Sequence, residues 1–551
     1  MKKCIEIIPE PKQLRFTGRW FDFNGFKNFP SFLAEEFGLE AGDWVIKPVE
    51  EEGTGVRVKD GVIEYWGDEK TCYATIIQLV KQCKGKLPEV EIKEEFCFEF
   101  RGFHLDIARG AVPKVDTFKR ILRWLFLLKY NYFAIYFEDL FPWEKYPEIG
   151  AERGRLTVEE WNTVVEYGAK LGIEVFPSLE LAGHMENILT LPAFRKYSEW
   201  YRPSEGCLNV FDEEARNFAK DLLKEALEKT VSKYIHIGGD ETWALGRGRS
   251  LDKTLEFKGP QLYADHHSDL INIVRSKGKI PLLWGDMLAG MYLRKEEKEL
   301  WEKILEKPVW RNVIIANWDY SPRPVQHFRE KIKLFKERGY RQIACPGLWN
   351  WRRYYPNFEN ALTNLKNFLQ AAKEEKVMGF MVTAWGDDGE ECLFSFLDPL
   401  ILAAMEYAEG NGKWEEKWMA LTGEDEKVLE ARKLFGRPEI ADFIKPVLFL
   451  PSAKIKEVPV LKFWEEVIHK LRDVTLPRDL AFIKRFLEVA LKKIKKKALI
   501  ADFIGLSSTY TELWLNERKY PGLEKIVSRF WSAAAMYDLY MGSVSDKKSI
   551  P

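Results

Sequence analysis

Three features of the sequence predict an α/β protein built on a (β/α)₈ TIM barrel, with a small α+β domain before the barrel and a helical domain after it. From about residue 99 the chain cycles through a short apolar run, a polar turn and a helix-period segment, roughly eight times. The apolar runs are continuous instead of alternating, as strands buried on both faces must be. Beyond about residue 415 the runs stop and only helical stripes remain.

The predicted domains are 1–98, 99–415 and 416–551. In the first, Val56–Val58 and Val62–Tyr65 read as strands and Thr71–Cys83 as a helix, followed by a basic-acidic stretch from Lys84 to Glu95. The eight barrel strands are placed at Phe103–Ile107, Tyr132–Phe137, Val175–Leu179, Tyr234–Ile237, Ile280–Trp284, Val313–Ala316, Gln342–Cys345 and Val377–Val382. Between them lie helical stripes such as Val325, Phe328, Ile332, Phe335 and Leu362, Leu365, Phe368, Leu369, Ala372. The C-terminal stripes are Leu480, Ile483, Leu487, Leu491, Ile494 and Leu523, Ile526, Phe530, Ala533.

Several function classes are disfavoured. With 84 basic against 85 acidic residues there is no broad positive field for nucleic acid. The greasiest region, Ile121 to Phe137, is interrupted by Arg123 and Lys129 and is too short to span a bilayer, so no membrane partner is expected. Seven dispersed cysteines without a Cys-x-x-Cys argue against a disulfide framework or zinc site. The opening residues have no apolar leader. A cytoplasmic protein is therefore expected. The seven histidines form no His-Glu-x-x-His, and no glycine-rich phosphate loop stands out, so neither metal nor cofactor is expected. Lys492 to Lys497 reads as a solvated helix face.

Barrel enzymes place their chemistry at the carboxyl ends of the strands. The ends here carry Arg109; Glu138 and Asp139; Glu180 and His184; Asp240 and Glu241; Trp284 and Asp286; Trp318, Asp319 and Tyr320; Trp349 and Trp351; and Trp385, Asp387 and Glu390. Acids and Arg bond hydroxyls, while aromatic faces cover the C–H faces of pyranose rings, so this rim suits a sugar. At the fourth strand, His236-Ile-Gly-Gly-Asp-Glu241 ends in two adjacent carboxylates, whose mutual repulsion can keep one protonated as an acid.

That hexapeptide resembles the His-x-Gly-x-Asp-Glu motif of glycoside hydrolase family 20, the β-N-acetylhexosaminidases. Arg101-Gly-Phe-His-Leu-Asp-Ile-Ala-Arg109 is similar to the family's first-strand motif, Pro177-Ser-Leu-Glu-Leu-Ala-Gly-His184 to its third, and Ile7-Ile8-Pro9-x-Pro11 to the start of its N-terminal domain. Pro281-Leu-Leu-Trp-Gly-Asp-Met287, Asn317-Trp-Asp-Tyr320, Leu348-Trp-Asn-Trp351 and Thr383-Ala-Trp-Gly-Asp-Asp-Gly-Glu-Glu391 resemble its later segments.

The resemblance implies exo-acting hydrolysis of terminal β-linked N-acetylglucosamine or N-acetylgalactosamine, from an oligosaccharide or glycoconjugate. It implies retention through the substrate's own acetamido group. In that scheme Glu241 is the acid and base, Asp240 and Tyr320 hold the acetamido group, and Asp139, His184 and Glu241 form a relay. Arg109 holds the O3 and O4 hydroxyls; Trp284, Trp318 and Trp385 box the acetyl group. Asp286, Asp319, Trp349 and Trp351 complete the sugar site, and either Asp387 or Glu390 reaches O4 or O6. Homo-oligomerisation is left open. Two rivals are a retaining glycosidase using Glu138 or Glu180 as nucleophile, and a non-catalytic sugar-binding protein.

Overall fold

Alternation of inward apolar and outward charged residues builds the N-terminal sheet. The computed structural model describes residues 5–291, 294–450 and 458–546. Strands β1 (Gln13–Asp22), β2 (Val45–Pro48), β3 (Thr54–Lys59), β4 (Val62–Trp66) and β5 (Lys86–Glu94) lie in the order β1-β5-β3-β4-β2. The helix Glu69–Cys83 covers the sheet; its N-cap Asp68 accepts the Thr71 N–H at 2.9 Å. The basic-acidic stretch is strand β5. Leu87, Val90 and Ile92 are buried while the charges between them are largely outward. Edge strand β1 is mostly exposed and pairs only with β5, so it carried no apolar rhythm to read.

Eight parallel strands then close a barrel: β6 (Phe100–Asp106), β7 (Tyr132–Tyr136), β8 (Glu174–Ser178), β9 (Tyr234–His236), β10 (Ile280–Trp284), β11 (Ile314–Trp318), β12 (Arg341–Cys345) and β13 (Gly379–Ala384). Each expected strand overlaps one of these. Closure runs through β13 and β6, in register from Gly379 opposite Phe100 to Ala384 opposite Leu105. The interior is packed, not hollow. Phe100 stacks on Tyr132 at 4.2 Å, and Phe176, Tyr234, Leu282, Ile314, Ile343 and Met381 fill the remainder. This interior core continues upward into Trp284 and Trp385, the floor of the barrel mouth.

Both barrel helix stripes are helical, at Val325–Lys336 and Phe358–Glu374, as are both C-terminal stripes, at Arg478–Ile494 and Leu523–Asp546. The C-terminal helices grip the loop after β13. Arg518 is fully buried between the rings of Phe394 and Trp514, and donates to the carbonyls of Glu390 and Cys392. The Glu517 carboxylate accepts the N–H groups of Phe394 and Ser395. No disulfide joins cysteines 72, 83, 97, 207, 345 or 392, and Cys4 lies outside the described residues. Among the described residues, no helix is long and apolar enough to cross a membrane.

His266 and His267, adjacent on the helix Gly259–Ser276, are both buried. His266 Nε2 faces the Leu181 carbonyl at 2.9 Å, so it is the protonated nitrogen of a neutral ring. Burial takes His266 down to about 4, below its ordinary 6.5. A depressed folded-state value leaves stability intact above 6.5 and removes it as pH falls towards 4, because only the unfolded chain gains the proton. His266→Gln keeps a donor without that titration. Between pH 7 and pH 5 its unfolding free energy should therefore improve relative to wild type by about 2 kcal/mol. Denaturant titrations at both pH values check this; a pH-independent difference would show that His266 does not titrate on unfolding.

Candidate active site

Sharp turns at the strand ends aim the acids over the barrel mouth. After β9, Gly238 and Gly239 adopt φ of 74° and 95°. A Cβ on Gly238 would stand 2.3 Å from Glu180 Oε2, and one on Gly239 would stand 2.7 Å from Leu283 Cδ1. Only glycine fits this turn, and it delivers Asp240 and Glu241 side by side. Glu138, His184 and Glu241 themselves have φ near +47°, a strained region for residues with side chains and a frequent one at functional sites.

A pocket of about 310 Å³ results, lined by Arg109, His184, Asp240, Glu241, Trp318, Tyr320, Trp351, Arg352, Trp385 and Asp387. His184 Nε2 lies 3.4 Å from both Asp240 Oδ2 and Glu241 Oε2. Burial opposes charge on His184, but Asp240 and Glu241 carry it well above its ordinary value, which favours the imidazolium. Across the pocket, Arg109 stands 3.3 Å from Asp106, 3.1 Å from Glu138 and 3.8 Å from Asp387.

Aromatic residues close the remaining wall. Trp318 stacks on Tyr320 with centroids 5.0 Å apart, and Trp385 Nε1 donates to the Tyr320 hydroxyl oxygen at 2.7 Å. Asn350 secures Trp385 by donating to its carbonyl at 2.7 Å and accepting its N–H at 3.3 Å.

Several expected residues stand elsewhere. Asp139 is buried in an ion pair with Arg153, without contact to His184. Its neighbour Glu138 is the acid beside His184: Glu138, His184 and Glu186 have oxygen or nitrogen atoms within 4.8 Å of one another. Trp284 is fully buried beneath the pocket, packed on His236 at 4.3 Å and Trp385 at 5.7 Å, so it supports the floor and does not line it. Asp319 points away, with Ser321, His327 and Lys331 around its carboxylate. Trp349 is turned outward and donates its indole N–H to the Tyr320 carbonyl at 2.7 Å. Glu390 is buried below the pocket, whereas Asp387 lines it. Arg352 also lines the pocket; its place next to Trp351 is its one cue in the sequence.

Asp286 works behind the wall. Its carboxyl accepts the Glu241 N–H at 2.9 Å and the Trp318 indole N–H at 3.2 Å. Burial and then the nearby Asp240 push it up to about 8. Burial likewise pushes Glu138 up to about 8 against the pull of Arg109. Burial, reinforced by Asp240, holds Glu180 well above the carboxylate range. Glu180 accepts the Gly239 N–H at 3.3 Å from beneath the turn. Glu138, His184 and Glu186 are also the one trio of metal-ligating side chains among the described residues.

The family model for the catalytic domain of glycosyl hydrolase family 20 matches residues 98–392, the barrel that carries this pocket. The chain belongs to glycosyl hydrolase family 20. Human hexosaminidase D is 26% identical over 307 residues, which cover 52% of this chain and 60% of the human protein. A β-hexosaminidase of Porphyromonas gingivalis is 25% identical over 262 residues, covering 42% of this chain and 31% of that protein. The chain thus spans less than two thirds of the length of either relative. In fold it is similar to the Flavobacterium johnsoniae chitobiase, with a TM-score of 0.60 at 17% identity over 94% of this chain and 99% of that one. A Bacteroides fragilis β-N-acetylhexosaminidase gives a TM-score of 0.58 at 20% identity, over 74% of this chain and 91% of that one.

Asp286→Asn tests the support of the wall. An amide has one acceptor oxygen for two N–H donors, so either Glu241 or Trp318 loses its bond. We expect kcat/KM on a glycoside substrate to fall about 10- to 100-fold while near-UV circular dichroism stays unchanged. An unchanged kcat/KM would remove Asp286 from the positioning machinery.

Proposed function

We propose that this family 20 chain is an exo-acting β-N-acetylhexosaminidase that retains configuration by using the substrate's acetamido group as the nucleophile. One observation carries the proposal. Two adjacent carboxylates, Asp240 and Glu241, share the cationic His184 at a pocket of about 310 Å³, room for one sugar. The other acids that could attack C1 are withdrawn. Glu180 lies under the Gly239 turn, and Glu138 is bonded by Arg109, Tyr136 and Asn187. This disfavours the rival with an enzyme nucleophile.

Each pocket residue then has a task. Glu241, the more exposed of the pair, protonates the leaving oxygen and later deprotonates water. Asp240 accepts the acetamido N–H and balances the positive charge of the oxazolinium ring. The Tyr320 oxygen already accepts the Trp385 indole hydrogen, which leaves the phenol hydrogen to bond the acetamido oxygen and aim it at C1. A nucleophile tethered this way can reach effective molarities of about 10⁵ M or more. Trp318 and Trp385 enclose the acetyl methyl. Arg109 and Asp387 hold the hydroxyls at the far edge, and His184 keeps Asp240 and Glu241 apart and oriented. The physiological substrate on this proposal is a glycan or glycoconjugate with a terminal β-N-acetylhexosamine.

Glu241→Gln removes the proton donor at nearly constant shape, so kcat on unactivated chitobiose should fall about 10²–10⁴-fold with little change in binding. Activated aryl leaving groups should suffer less in the first step. Near wild-type turnover of chitobiose would sink the assignment.

Asp240→Asn separates the mechanisms. Loss of a preorganised charge partner should cost about 10²–10³ in kcat on N-acetylated substrates, and a thiazoline analogue of the intermediate should lose most of its potency. Chromogenic β-N-acetylglucosaminide, β-N-acetylgalactosaminide and β-glucoside should be compared side by side with wild type. Fast cleavage of the plain glucoside, or a sugar trapped on Glu138 or Glu180, would favour an enzyme nucleophile.

A further inference from the structure

The crowding of acids at the barrel mouth centres on His184. Glu138, Glu180, Glu186, Asp240 and Glu241 all bring carboxyl groups near its ring, while Arg109 is engaged by Asp106 and Glu138. Asp240 and Glu241 meet the ring at Nε2. Glu138 and Glu186 form a second set with it. One donor atom from each of Glu138, His184 and Glu186 lies within 4.8 Å of the other two. These side chains come from the loops after β7 and β8, so no metal-binding spacing marks them in the sequence.

Glu186 is the informative member. It opens the helix Glu186–Leu189 and is half-buried. Among the described residues its carboxylate has no hydrogen bond and no ion pair. The backbone nevertheless makes room for it: a Cβ on Gly206 would stand 2.6 Å from Glu186 Oε2. A carboxylate seated against a histidine and a buried acid, without a cation of its own, leaves negative charge unbalanced. The next residue adds a donor. The Asn187 amide donates to Glu138 Oε2 at 3.2 Å, and turning that amide over presents its oxygen in the same place.

Nitrogen and oxygen donors without a thiolate suit a borderline divalent ion such as Zn²⁺, whereas Mg²⁺ and Ca²⁺ take oxygen ligands. Zinc holds such donors about 2.0–2.2 Å away, so two of them stand at most roughly 4.2 Å apart. The trio therefore needs to close by about 0.6 Å at most. The ion takes the place of a proton on the ring nitrogen that binds it. Acids that attract a proton to His184 attract a double charge more strongly.

We infer that Glu138, His184 and Glu186 form a binding site for a zinc-class divalent cation, and that its occupancy switches off the pair Asp240 and Glu241. Closing onto the ion draws His184 towards Glu138 and Glu186, and the pair loses the group that orients it. Cation binding stands independently of the activity proposed above; the inhibition rests on that activity.

The test uses the full chain, stripped with a chelator and titrated with ZnCl₂ by calorimetry. Glu186 lies outside the pocket lining, so Glu186→Gln should keep its zinc-free turnover while its zinc affinity falls at least about 10- to 100-fold. Zinc should raise the melting temperature of wild type and not that of the variant. Cobalt(II) should give a visible absorption band in wild type that the variant lacks. Turnover of an aryl β-N-acetylhexosaminide by wild type should fall over the concentrations at which zinc binds, and Mg²⁺ and Ca²⁺ should neither bind nor inhibit. Absence of zinc binding in wild type, or equal zinc affinity in the variant, overturns the site. Zinc binding that depends on Glu186, with full wild-type turnover at saturating zinc, overturns the inhibition. The same Glu186-dependent binding in a protein that cleaves no N-acetylhexosaminide would support the site and overturn the activity instead.

Discussion

Carboxyl groups outnumber cations at the carboxyl end of this barrel, out of reach of bulk water. Asp106, Glu138, Glu180, Asp240 and Asp286 are all buried there, with Arg109 and His184 as the cations among them. Five full negative charges in a medium of low polarity would repel one another by far more than a fold can absorb. Protons and hydrogen bonds resolve the excess. Burial pushes Glu138, Glu180 and Asp286 towards their neutral forms, and Arg109 and His184 supply positive charge among them. The arrangement gives each acid a different character from position alone. Glu180 and Asp286, beneath and behind the wall, are drawn towards the neutral form, and Asp240 and Glu241 line the pocket.

That balance holds only if the rim is rigid, and the barrel does not supply all of the rigidity itself. Asp106 at the end of β6 accepts the Gly386 N–H at 2.9 Å, tying the first barrel strand to the loop after the last. The same loop is clamped from outside by Arg518, Glu517 and the Tyr510 hydroxyl, which donates to the Glu391 carbonyl at 2.8 Å. The C-terminal helices thus help to position Asp387 and Trp385. Inside, the aromatic stack from the packed barrel interior through Trp284 to Trp385 sets the height of the pocket floor.

On the proposed function, a tight pocket with preorganised partners for an acetamido group needs no side-chain nucleophile. Tyr320 is fixed by its stack on Trp318 and by the Trp385 indole, and Gly347 leaves space for its ring, 2.6 Å from where a Cβ would stand. Catalysis on this plan rests on holding a substrate group in line and on charge already in place.

The sequence by itself determined the barrel, because eight apolar runs with turn residues between them bury well in few other ways, and each run became a strand. It also determined the central pair, since Gly238 and Gly239 permit the turn that presents Asp240 and Glu241. Arg109, His184, Trp318, Tyr320, Trp351, Trp385 and Asp387 were legible from their places just after strands. Tertiary structure alone decided between neighbours. Glu138 and not Asp139 meets His184, because the backbone after β7 turns Asp139 down onto Arg153. Asp387 and not Glu390 reaches the pocket, because the loop after β13 folds Glu390 beneath it against the Arg518 clamp. Trp284, Asp286, Asp319 and Trp349 were near the site in sequence but face its underside or flank. Which way a side chain points after a strand depends on one or two backbone dihedrals in a loop. Those dihedrals are set by contacts with residues outside the turn, Arg153 for Asp139 and Arg518 for the Glu390 loop, and no local pattern records them.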